Sequence, residues 1–398
     1  MIQDPKERLV ALQKARDELE KRIGKGATLK GNEKVEVPII CSTGSFNIDL
    51  ALGVMGIPAG KIIEIYGPES SGKTTLCLHI IREAQKKGYL CSFVDAEHAL
   101  DLSWARKIGC NTDELLISQP DCGEEALQVC ESIVDSQSNA IIVIDSVAAL
   151  TPRAEIEGEF GASQMGLQAR LMSQAMRKLT AKISNAGCTV IFTNQIRSKI
   201  GVMYGSPETV TGGNALKFYA SIRLDVRRIN SESTVDAVEG QTTAALKIKV
   251  VKNKVSTPFK VAETELDTGN NGIYGFNKFK EVFDVAVKSN IIEKRGNTYL
   301  FGEERIGVGR ENAASLFMEN KEMFEQVKNK VMNIFNAQND DIILQGSFAQ
   351  TIQTEQVEEG EKKQRKGRKP KEFQGELVET KLVDDSIETV VPSEEIVE

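Results

Sequence analysis

Gly67-Pro68-Glu69-Ser70-Ser71-Gly72-Lys73-Thr74 match the pattern G-x-x-x-x-G-K-[ST] of a phosphate-binding loop at every fixed position. The apolar run before this loop, residues 62–66, predicts a buried strand, and residues 74–85 after it predict a helix. A glycine-rich turn between a strand and a helix directs backbone N–H groups and the positive end of the helix dipole at a phosphate. A chance glycine-rich turn is the alternative, but both flanking segments fit the site. The sequence therefore predicts a protein that binds a nucleoside triphosphate.

Three side chains in and near this loop have expected roles. Lys73 supplies a mobile cation to the outer phosphates, and Thr74 is placed to hold Mg²⁺. Asp145 follows four consecutive apolar residues and has the form of a Walker B aspartate, a carboxylate aimed at the magnesium shell. A helix N-cap is the competing interpretation of Asp145. We expect Thr74 and Asp145 to be the metal-holding residues.

Strands and helices alternate around these motifs. Further strands are predicted at 89–94, 115–118, 140–144 and 188–193, and further helices at 103–108, 123–134 and 167–184. This alternation is typical of a parallel sheet, which binds its ligands at the carboxyl ends of the strands. Glu97 and Gln195 each lie just beyond a predicted strand. Glu97 is a candidate for activating the attacking water, or else a plain surface glutamate, and Gln195 is placed to hydrogen-bond a γ-phosphate.

Length and composition indicate a globular chain. It has 398 residues, of which 40% are hydrophobic, ample for a large core and a smaller second domain. The net charge of -7 argues against a nucleic acid partner only if the charge is spread evenly over the surface. Local basic patches therefore determine whether nucleic acid can bind. Seven scattered cysteines without a C-x-x-C pair indicate reduced thiols, and no apolar run has membrane-spanning length. We expect a cytoplasmic protein without an export signal or membrane anchor.

Two glycine-rich loops and a basic helix point to a nucleic acid partner. One loop spans residues 196–214, and the other spans residues 155–166, just before the helix that carries Arg170 and Arg177. Long loops in compact domains are usually functional, and mobile loops beside basic side chains suit a channel for single-stranded nucleic acid. Surface loops of an ordinary ATPase are the alternative. Residues 4–23 predict an amphipathic helix that packs either on its own domain or on a neighbouring subunit.

Six stretches resemble the bacterial RecA recombinase family. They are GPESSGKTT (67–75), VDAEHA (94–99), MGL (165–167), SQAMRKL (173–179), NQIR (194–197) and TGGNALKFYAS (211–221), within a similarity from about residue 40 to about residue 335. The resemblance implies an α/β fold: a RecA-type P-loop ATPase core with a mostly parallel central sheet, an N-terminal polymerisation helix and a small α/β C-terminal domain. The implied boundaries are 1–33 for the oligomerisation helix and linker, 34–270 for the ATPase and DNA-binding core, 271–336 for the small domain and 337–398 for a disordered charged tail.

The resemblance also implies a function, an ATP-dependent role in homologous recombination and DNA repair. Such a protein forms helical filaments on single-stranded DNA, pairs it with homologous duplex and exchanges strands. It also stimulates repressor self-cleavage in the SOS response. The implied cofactors are ATP and Mg²⁺, and the implied partners are single-stranded DNA, homologous double-stranded DNA, further copies of this chain and a self-cleaving repressor.

Residue roles follow from the same resemblance. The implied catalytic residues are Glu97, Lys73, Gln195, Lys252 and Lys254, of which the two last reach the γ-phosphate of a neighbouring subunit. The implied nucleotide-binding residues are Gly67, Pro68, Glu69, Ser70, Ser71, Gly72, Lys73, Thr74, Thr75, Asp101, Trp104 and Asp145. The implied DNA path is lined by Met165, Gly166, Arg170, Ser173, Arg177, Arg197, Ile200, Gly212, Gly213 and Asn214. A basic rim for a second strand, or else a solvated face, is formed by Arg227, Arg228, Lys247 and Lys249.

Several positions depart from the family's pattern. Trp104 stands where the family usually has a tyrosine that stacks on adenine, and an indole can stack as well. Gln164 replaces a common histidine, and Thr193 replaces an apolar residue. The segment between Gly24 and Cys41 lacks the usual apolar strand that helps to join subunits, and the tail contains a basic cluster followed by acidic residues.

Two other classes of protein share part of these features. A ring-forming helicase or related motor has the same ATPase core but unwinds duplex instead of making homology-dependent joints. A nucleotide-gated scaffold binds ATP and DNA without DNA-stimulated turnover, and Glu97, Lys73 and Asp145 argue against it. A small-molecule kinase is disfavoured by the DNA-like loops.

Overall fold

The computed structural model describes residues 4–24, 28, 38–159, 166–198, 208–229, 243–269 and 272–337. Met165 and Ile200, which are predicted to line the DNA path, lie outside these ranges, as do Gln164 and the charged tail beyond residue 337. The boundaries of the four predicted domains stay predictions.

Helices and strands alternate through the described core. The strands are β1 (Ile39–Cys41), β2 (Ile57–Pro58), β3 (Ile62–Gly67), β4 (Leu90–Asp95), β5 (Leu115–Ser118), β6 (Asn139–Asp145), β7 (Thr189–Ser198), β8 (Glu208–Val210), β9 (Ile222–Arg228), β10 (Thr243–Asn253), β11 (Val261–Thr268), β12 (Tyr274–Phe276), β13 (Glu293–Arg295), β14 (Thr298–Phe301) and β15 (Glu304–Val308). The helices are α1 (Pro5–Ile23), α2 (Phe46–Leu52), α3 (Lys73–Gln85), α4 (Leu102–Ile108), α5 (Gly123–Ser136), α6 (Arg153–Ile156), α7 (Leu167–Ala186), α8 (Ala215–Tyr219), α9 (Lys278–Lys288), α10 (Arg310–Glu319) and α11 (321–337). Every element predicted between residues 62 and 193 is present, and β7 extends beyond its predicted end to Ser198.

A large sheet organises the core. Six of its strands are parallel in the order β5-β4-β6-β7-β3-β9, which confirms the predicted parallel sheet. Beyond β9 the sheet continues through β10, β11 and β12, and each of these pairs is antiparallel. Buried and exposed residues alternate along β10, as in a strand with one solvated face, unlike the continuous apolar runs of the central strands.

The two faces of the sheet carry separate apolar clusters. Along β6, Ile141 and Val143 pack with α3 and α4, whereas Ile142 and Ile144 pack with α5 and α7. Successive residues of a strand point to opposite faces, so this one apolar run contributes to both clusters. Helices therefore cover both faces of the sheet. A polar ligand can bind only at the ends of the strands.

The small C-terminal lobe has its own core. The strands β13, β14 and β15 form an antiparallel sheet that packs with α9, α10 and α11 around Phe283, Tyr299, Phe317 and Phe324. The sequence predicted a small α/β domain here. The strand β13 has no apolar signature, because Glu293–Arg295 is charged and exposed.

The helix α1 is isolated. It begins at the N-cap Asp4 and ends at Gly24, as its sequence predicts. None of its residues is buried against the rest of the described chain, and Leu9 and Leu12 are about two-thirds exposed. Its apolar side chains are thus available to another subunit. No helix in the described part of the chain is long and apolar enough to cross a membrane.

A buried carboxyl group joins the small lobe to the core. Glu281 of α9 accepts hydrogen bonds from the Ser45 hydroxyl at 2.7 Å, from the backbone N–H of Phe46 at 2.5 Å and from the Thr264 hydroxyl. Ser45 is the N-cap of α2, so the carboxyl group completes the capping of that helix. Burial raises the pKa of Glu281 to about 7.

The raised pKa predicts a pH-dependent stability. The ordinary pKa of this group is 4.5, so between pH 4.5 and 7 the folded state holds a proton that the unfolded state has released. The contribution of Glu281 to stability is therefore full below pH 4.5 and declines as the pH rises through 7. Glu281→Gln does not titrate. Urea unfolding should show wild type losing about 3 kcal/mol relative to Glu281→Gln between pH 4.5 and 8.

The control for this measurement is Glu304→Gln, because Glu304 is exposed on β15. Its unfolding free energy should follow that of wild type at every pH. A constant difference between wild type and Glu281→Gln across the range would show that Glu281 does not titrate in this window.

Candidate nucleotide site and DNA interface

The phosphate-binding loop lies between β3 and α3 at the carboxyl edge of the sheet. Two of its positions require glycine. A Cβ atom on Gly67 would lie 2.1 Å from the carbonyl oxygen of Val226 on the neighbouring strand, and Gly72 has a φ of 92° as the N-cap of α3. With both glycines in place, the first turn of α3 is left open to present backbone N–H groups to a phosphate.

The polar side chains of this loop fit a nucleotide. Ser71 Oγ is buried and has no hydrogen-bond partner among the described residues. Lys73 Nζ donates only to backbone carbonyls in the described chain, at 3.3 Å to Gly67 and 2.6 Å to Pro68, and burial lowers the pKa of Lys73. An unpartnered hydroxyl and a buried cation are groups that phosphate oxygens satisfy. Beside them is a cavity of about 250 Å³, lined by residues 70–75 together with Arg228, Ala244, Leu246 and Leu266.

Asp145 ends β6 beside the loop. Its Oδ2 accepts a hydrogen bond from the Thr74 hydroxyl at 2.6 Å. Its Oδ1 accepts one from the Thr193 hydroxyl at 2.5 Å. Burial raises the pKa of Asp145, and these two hydrogen bonds oppose that effect. One carboxylate and one hydroxyl form a hard oxygen pair of the kind that Mg²⁺ uses with substrate phosphates and water. No group of three or more His, Cys, Asp or Glu side chains that could hold a metal ion is found in the described ranges.

Glu97 and Gln195 meet next to Asp145. Gln195 Nε2 donates to Glu97 Oε1 at 3.0 Å, and the Ser146 hydroxyl donates to the same oxygen. The backbone N–H of Glu97 also donates to the carbonyl of Asp145 at 3.3 Å. The structure therefore brings together the two side chains that the sequence placed beyond separate strands. Ser146 was not predicted, although its place directly after the Walker B aspartate was a usable signal.

Trp104 is held beside the first turn of α3. Its indole Nε1–H donates to Thr75 Oγ1 at 3.2 Å, and the edge of Tyr274 faces its ring at a centroid distance of 6.0 Å. Asp101, which the family resemblance implies for nucleotide binding, is the N-cap of α4 through its Oδ1. That role and adenine stacking stay predictions. The sequence gave no signal for Tyr274, which reaches Trp104 only through the pairing of the distant β12.

Lys252 and Lys254 lie together at the end of β10. Lys252 Nζ donates to the carbonyls of Lys217 and Phe218 at 2.8 Å each, and Lys254 Nζ donates to that of Phe218 at 3.4 Å. Burial, and to a smaller extent the charge of Lys254, lowers the pKa of Lys252 to about 8. Both lysines thus rest on the C-terminus of α8, whose Phe218 side chain is 68% exposed.

Gly212 and Gly213, near the end of the predicted loop 196–214, pack beside the N-terminal end of α7. A Cβ atom on Gly212 would lie 2.7 Å from a methyl group of Val147, and one on Gly213 would lie 2.8 Å from Ala169 Cβ. Gly166 is the N-cap of α7. The structure therefore gathers part of the predicted DNA path near Asp145. Three further basic residues of that path, Arg170, Arg177 and Arg197, are exposed.

Asn194 connects this glycine pair to the sheet. Its Nδ2 donates to the Thr211 carbonyl at 3.1 Å, and its Oδ1 accepts from the Thr211 hydroxyl at 2.5 Å. Asn194 Nδ2 also donates to Glu64 Oε1 at 3.0 Å, and Glu64 forms a buried ion pair with Arg223 at 2.5 Å. Neither Asn194 nor this ion pair was assigned a role from the sequence, although Asn194 begins the NQIR stretch (194–197) that carries the family resemblance.

The predicted basic rim is partly neutralised within the chain. Arg227 pairs with Glu208 at 2.5 Å and with Asp225 at 3.0 Å, and these carboxylates raise its pKa. Lys247 lies 3.8 Å from Glu263, and both side chains are largely exposed. Surface pairs of this kind exchange readily with phosphate, so the role of the rim stays a prediction.

Comparisons with known proteins agree with this geometry. Residues 10–274 match the RecA N-terminal domain, and residues 280–336 match the RecA C-terminal domain. Protein RecA of Paracoccus denitrificans is 54% identical over 324 residues, which are 81% of this chain and 89% of the relative. Protein RecA of Geobacter sulfurreducens is 54% identical over 82% of this chain and 96% of the relative. Protein RecA of Wolbachia pipientis subsp. Culex pipiens is 51% identical over 89% of this chain and 99% of the relative. The chain therefore belongs to the RecA family of recombination ATPases.

Proposed function

We propose that β7 couples ATP turnover at the P-loop to DNA binding at the Gly212–Gly213 pair. Membership of the RecA family makes this chain a DNA-dependent ATPase that forms filaments on DNA and acts in homologous recombination and repair. One observation carries the proposed coupling. Adjacent residues of β7 face the two sites, because Gln195 bonds Glu97 at 3.0 Å and Asn194 bonds Thr211 at 2.5 Å.

The nucleotide is ATP, bound through residues 67–75. Ser71 and Lys73 supply the hydroxyl and the cation that the described chain leaves available for phosphate oxygens. Thr74 and Asp145 would hold Mg²⁺, which supplies positive charge to the β- and γ-phosphates when it is bound. Trp104 stacks on the adenine, and Asp101 lies at the same end of the site.

Glu97 activates the attacking water. Its Oε1 accepts hydrogen bonds from the Gln195 amide and the Ser146 hydroxyl. A γ-phosphate oxygen is also a charged acceptor, so it competes with Glu97 Oε1 for the Gln195 amide N–H. When Gln195 turns to the phosphate, Glu97 regains a lone pair for the water proton. The same movement pulls on Asn194 and therefore on the DNA-facing glycine pair.

Lys252 and Lys254 act on the nucleotide of a neighbouring copy in the filament. Their present partners are neutral carbonyls of α8, which a γ-phosphate replaces with a full charge. Cations supplied in this way can raise turnover by a factor on the order of a thousand. The exposed Phe218 lies at the same helix terminus, so contact with a neighbour and release of the lysines would occur together.

Single-stranded DNA follows a path along the N-terminal half of α7 and the Gly212–Gly213 pair. Gly166, Arg170, Ser173, Arg177, Arg197 and Asn214 are the described members of this path besides the glycine pair. Ser173 hydrogen-bonds the Ala169 carbonyl, one turn before it, at 2.7 Å. The arginines neutralise phosphates, so DNA binding weakens steeply with salt.

Two further assignments rest on family membership and on the cysteines. We propose that the filament stimulates self-cleavage of a repressor, which is checked by incubating such a repressor with filaments formed with ATP on single-stranded DNA. We also propose a cytoplasmic location, because all seven cysteines are free and buried. Fractionation of the source cells tests the location.

Glu97→Gln should abolish turnover while leaving assembly intact. The amide keeps the size of the side chain but cannot accept a proton, and loss of a general base lowers rates by roughly 100-fold to 10,000-fold. ATP hydrolysis with single-stranded DNA measures turnover, and electron microscopy shows the filaments. The exposed Glu114→Gln is the matched control. Turnover near wild type in Glu97→Gln would exclude Glu97 as the base.

Gln195→Ala should uncouple DNA from hydrolysis. The stimulation of ATP hydrolysis by single-stranded DNA should fall by roughly tenfold, because the link between Glu97 and β7 is cut. Affinity for ATP should change by no more than about twofold, since Lys73 and the loop amides are untouched. Asn194→Ala removes the hydrogen bonds to Thr211 and should lower the stimulation of hydrolysis by DNA to a similar extent. Full DNA stimulation in both variants would refute coupling through β7.

Trp104→Ala should weaken ATP binding by roughly fivefold to 100-fold, the contribution of one base stack. Trp104→Tyr should bind nearly as well as wild type. The chain contains a single tryptophan, so its intrinsic fluorescence in the wild type should respond to ATP directly. Unchanged fluorescence on saturation with ATP, together with normal affinity in Trp104→Ala, would remove Trp104 from the base site.

A further inference from the structure

Thr193 contacts the Walker B aspartate from the neighbouring strand. It is fully buried on β7, and its hydroxyl donates to Asp145 Oδ1 at 2.5 Å. The parallel register pairs Ile144 with Phe192, so the next residues along, Asp145 and Thr193, lie side by side. The catalytic roles proposed above do not use this hydroxyl.

The carboxylate needs a second partner to keep its orientation. Rotation about the terminal bond of an aspartate side chain is soft, and its preferred angles are broad. Thr74 binds Oδ2 at 2.6 Å, which by itself leaves the plane of the group free to tilt about that contact. A hydrogen bond to Oδ1 from a separate strand removes this freedom. Two partners on opposite oxygens define the plane.

Thr193 has the properties needed to hold the Asp145 carboxylate in one orientation. A β-branched side chain in a strand has few χ1 rotamers, so its hydroxyl keeps a fixed direction. The site is also closed to water, since Thr193 is 0% and Asp145 is 7% exposed. No solvent molecule can therefore readily take the place of the hydroxyl. An apolar residue of the same shape would fill the space and leave Oδ1 without this donor.

We propose that Thr193 is a positioning residue for Asp145, whose hydroxyl holds the carboxylate in the plane where Oδ2 faces Thr74 and the magnesium position. This inference rests on the proposed magnesium role of Thr74 and Asp145. It goes beyond that role by assigning the orientation of the carboxylate to a residue on the strand that also carries Asn194 and Gln195. Magnesium binding and the coupling strand are then joined by one hydrogen bond.

The test is the Mg²⁺ dependence of nucleotide binding in Thr193→Val. Binding of a fluorescent, non-hydrolysable ATP analogue to the full chain without DNA is titrated with Mg²⁺. Loss of a group that orients a metal ligand typically weakens metal binding by roughly 10-fold to 100-fold, so the Mg²⁺ midpoint should rise by about that factor. Thr193→Ser keeps the hydroxyl and should stay near the wild-type midpoint. Binding of the analogue in EDTA should be equal in all three proteins.

Thr189→Val is the matched control. Thr189 lies on the same strand, is fully buried, and donates its hydroxyl to the Pro58 carbonyl away from the site. This variant should lose some thermal stability and keep the wild-type Mg²⁺ midpoint. If Thr193→Val does not fold, Thr193→Ala and Thr193→Ser provide the same comparison.

The outcomes separate the two proposals. A wild-type midpoint in Thr193→Val, or an equal rise in Thr193→Ser and Thr193→Val, overturns the role of the Thr193 hydroxyl. Asp145→Asn is measured alongside. If Asp145→Asn leaves the midpoint unchanged, the proposed magnesium role of Asp145 fails. If Asp145→Asn raises the midpoint and Thr193→Val does not, only the inference about Thr193 fails.

Discussion

The parallel register of β3, β6 and β7 is the constraint on which the site depends. Gly67 pairs with Gln195, and Ile144 pairs with Phe192, so the P-loop, Asp145 and Gln195 lie at one edge of the sheet. A slip of one residue would turn every side chain of a strand to the other face and separate these groups. The nucleotide site is therefore a consequence of backbone pairing.

Buried polar groups reinforce this register, although these groups lose their hydration when the chain folds. Glu64 and Arg223 are both buried and pair across β3 and β9, while Asn194 of β7 bonds the same carboxylate. Removing one partner of a buried ion pair typically costs about 3–5 kcal/mol because the other charge is left unpaired. A shifted register would leave Glu64 in that position, so the ion pair disfavours wrong pairings. Through Asn194 it also ties β7 to β3, the strand that leads into the P-loop.

Much of the core was predictable because its signals are local. The strand, loop and helix around the P-loop follow from an apolar run, fixed glycines and a helical periodicity, and all three were found where they were predicted. Asp145 and Glu97 were singled out as candidates because each follows a predicted apolar strand. The antiparallel extension of the sheet through β10, β11 and β12 was not predicted, although β10 alternates buried and exposed residues as a strand with one solvated face does. The strand β13 has no apolar signature, because Glu293–Arg295 is charged and exposed.

Sequence alone predicted the family, the P-loop and the order of the central elements, because these depend on residues close together in the chain. Tertiary structure decided which polar groups meet. It placed Thr193 on Asp145, Gln195 on Glu97 and Tyr274 against Trp104. These contacts join strands and loops that are tens of residues apart. Strand pairing and packing set the distances between them, and no local pattern of residues encodes such distances.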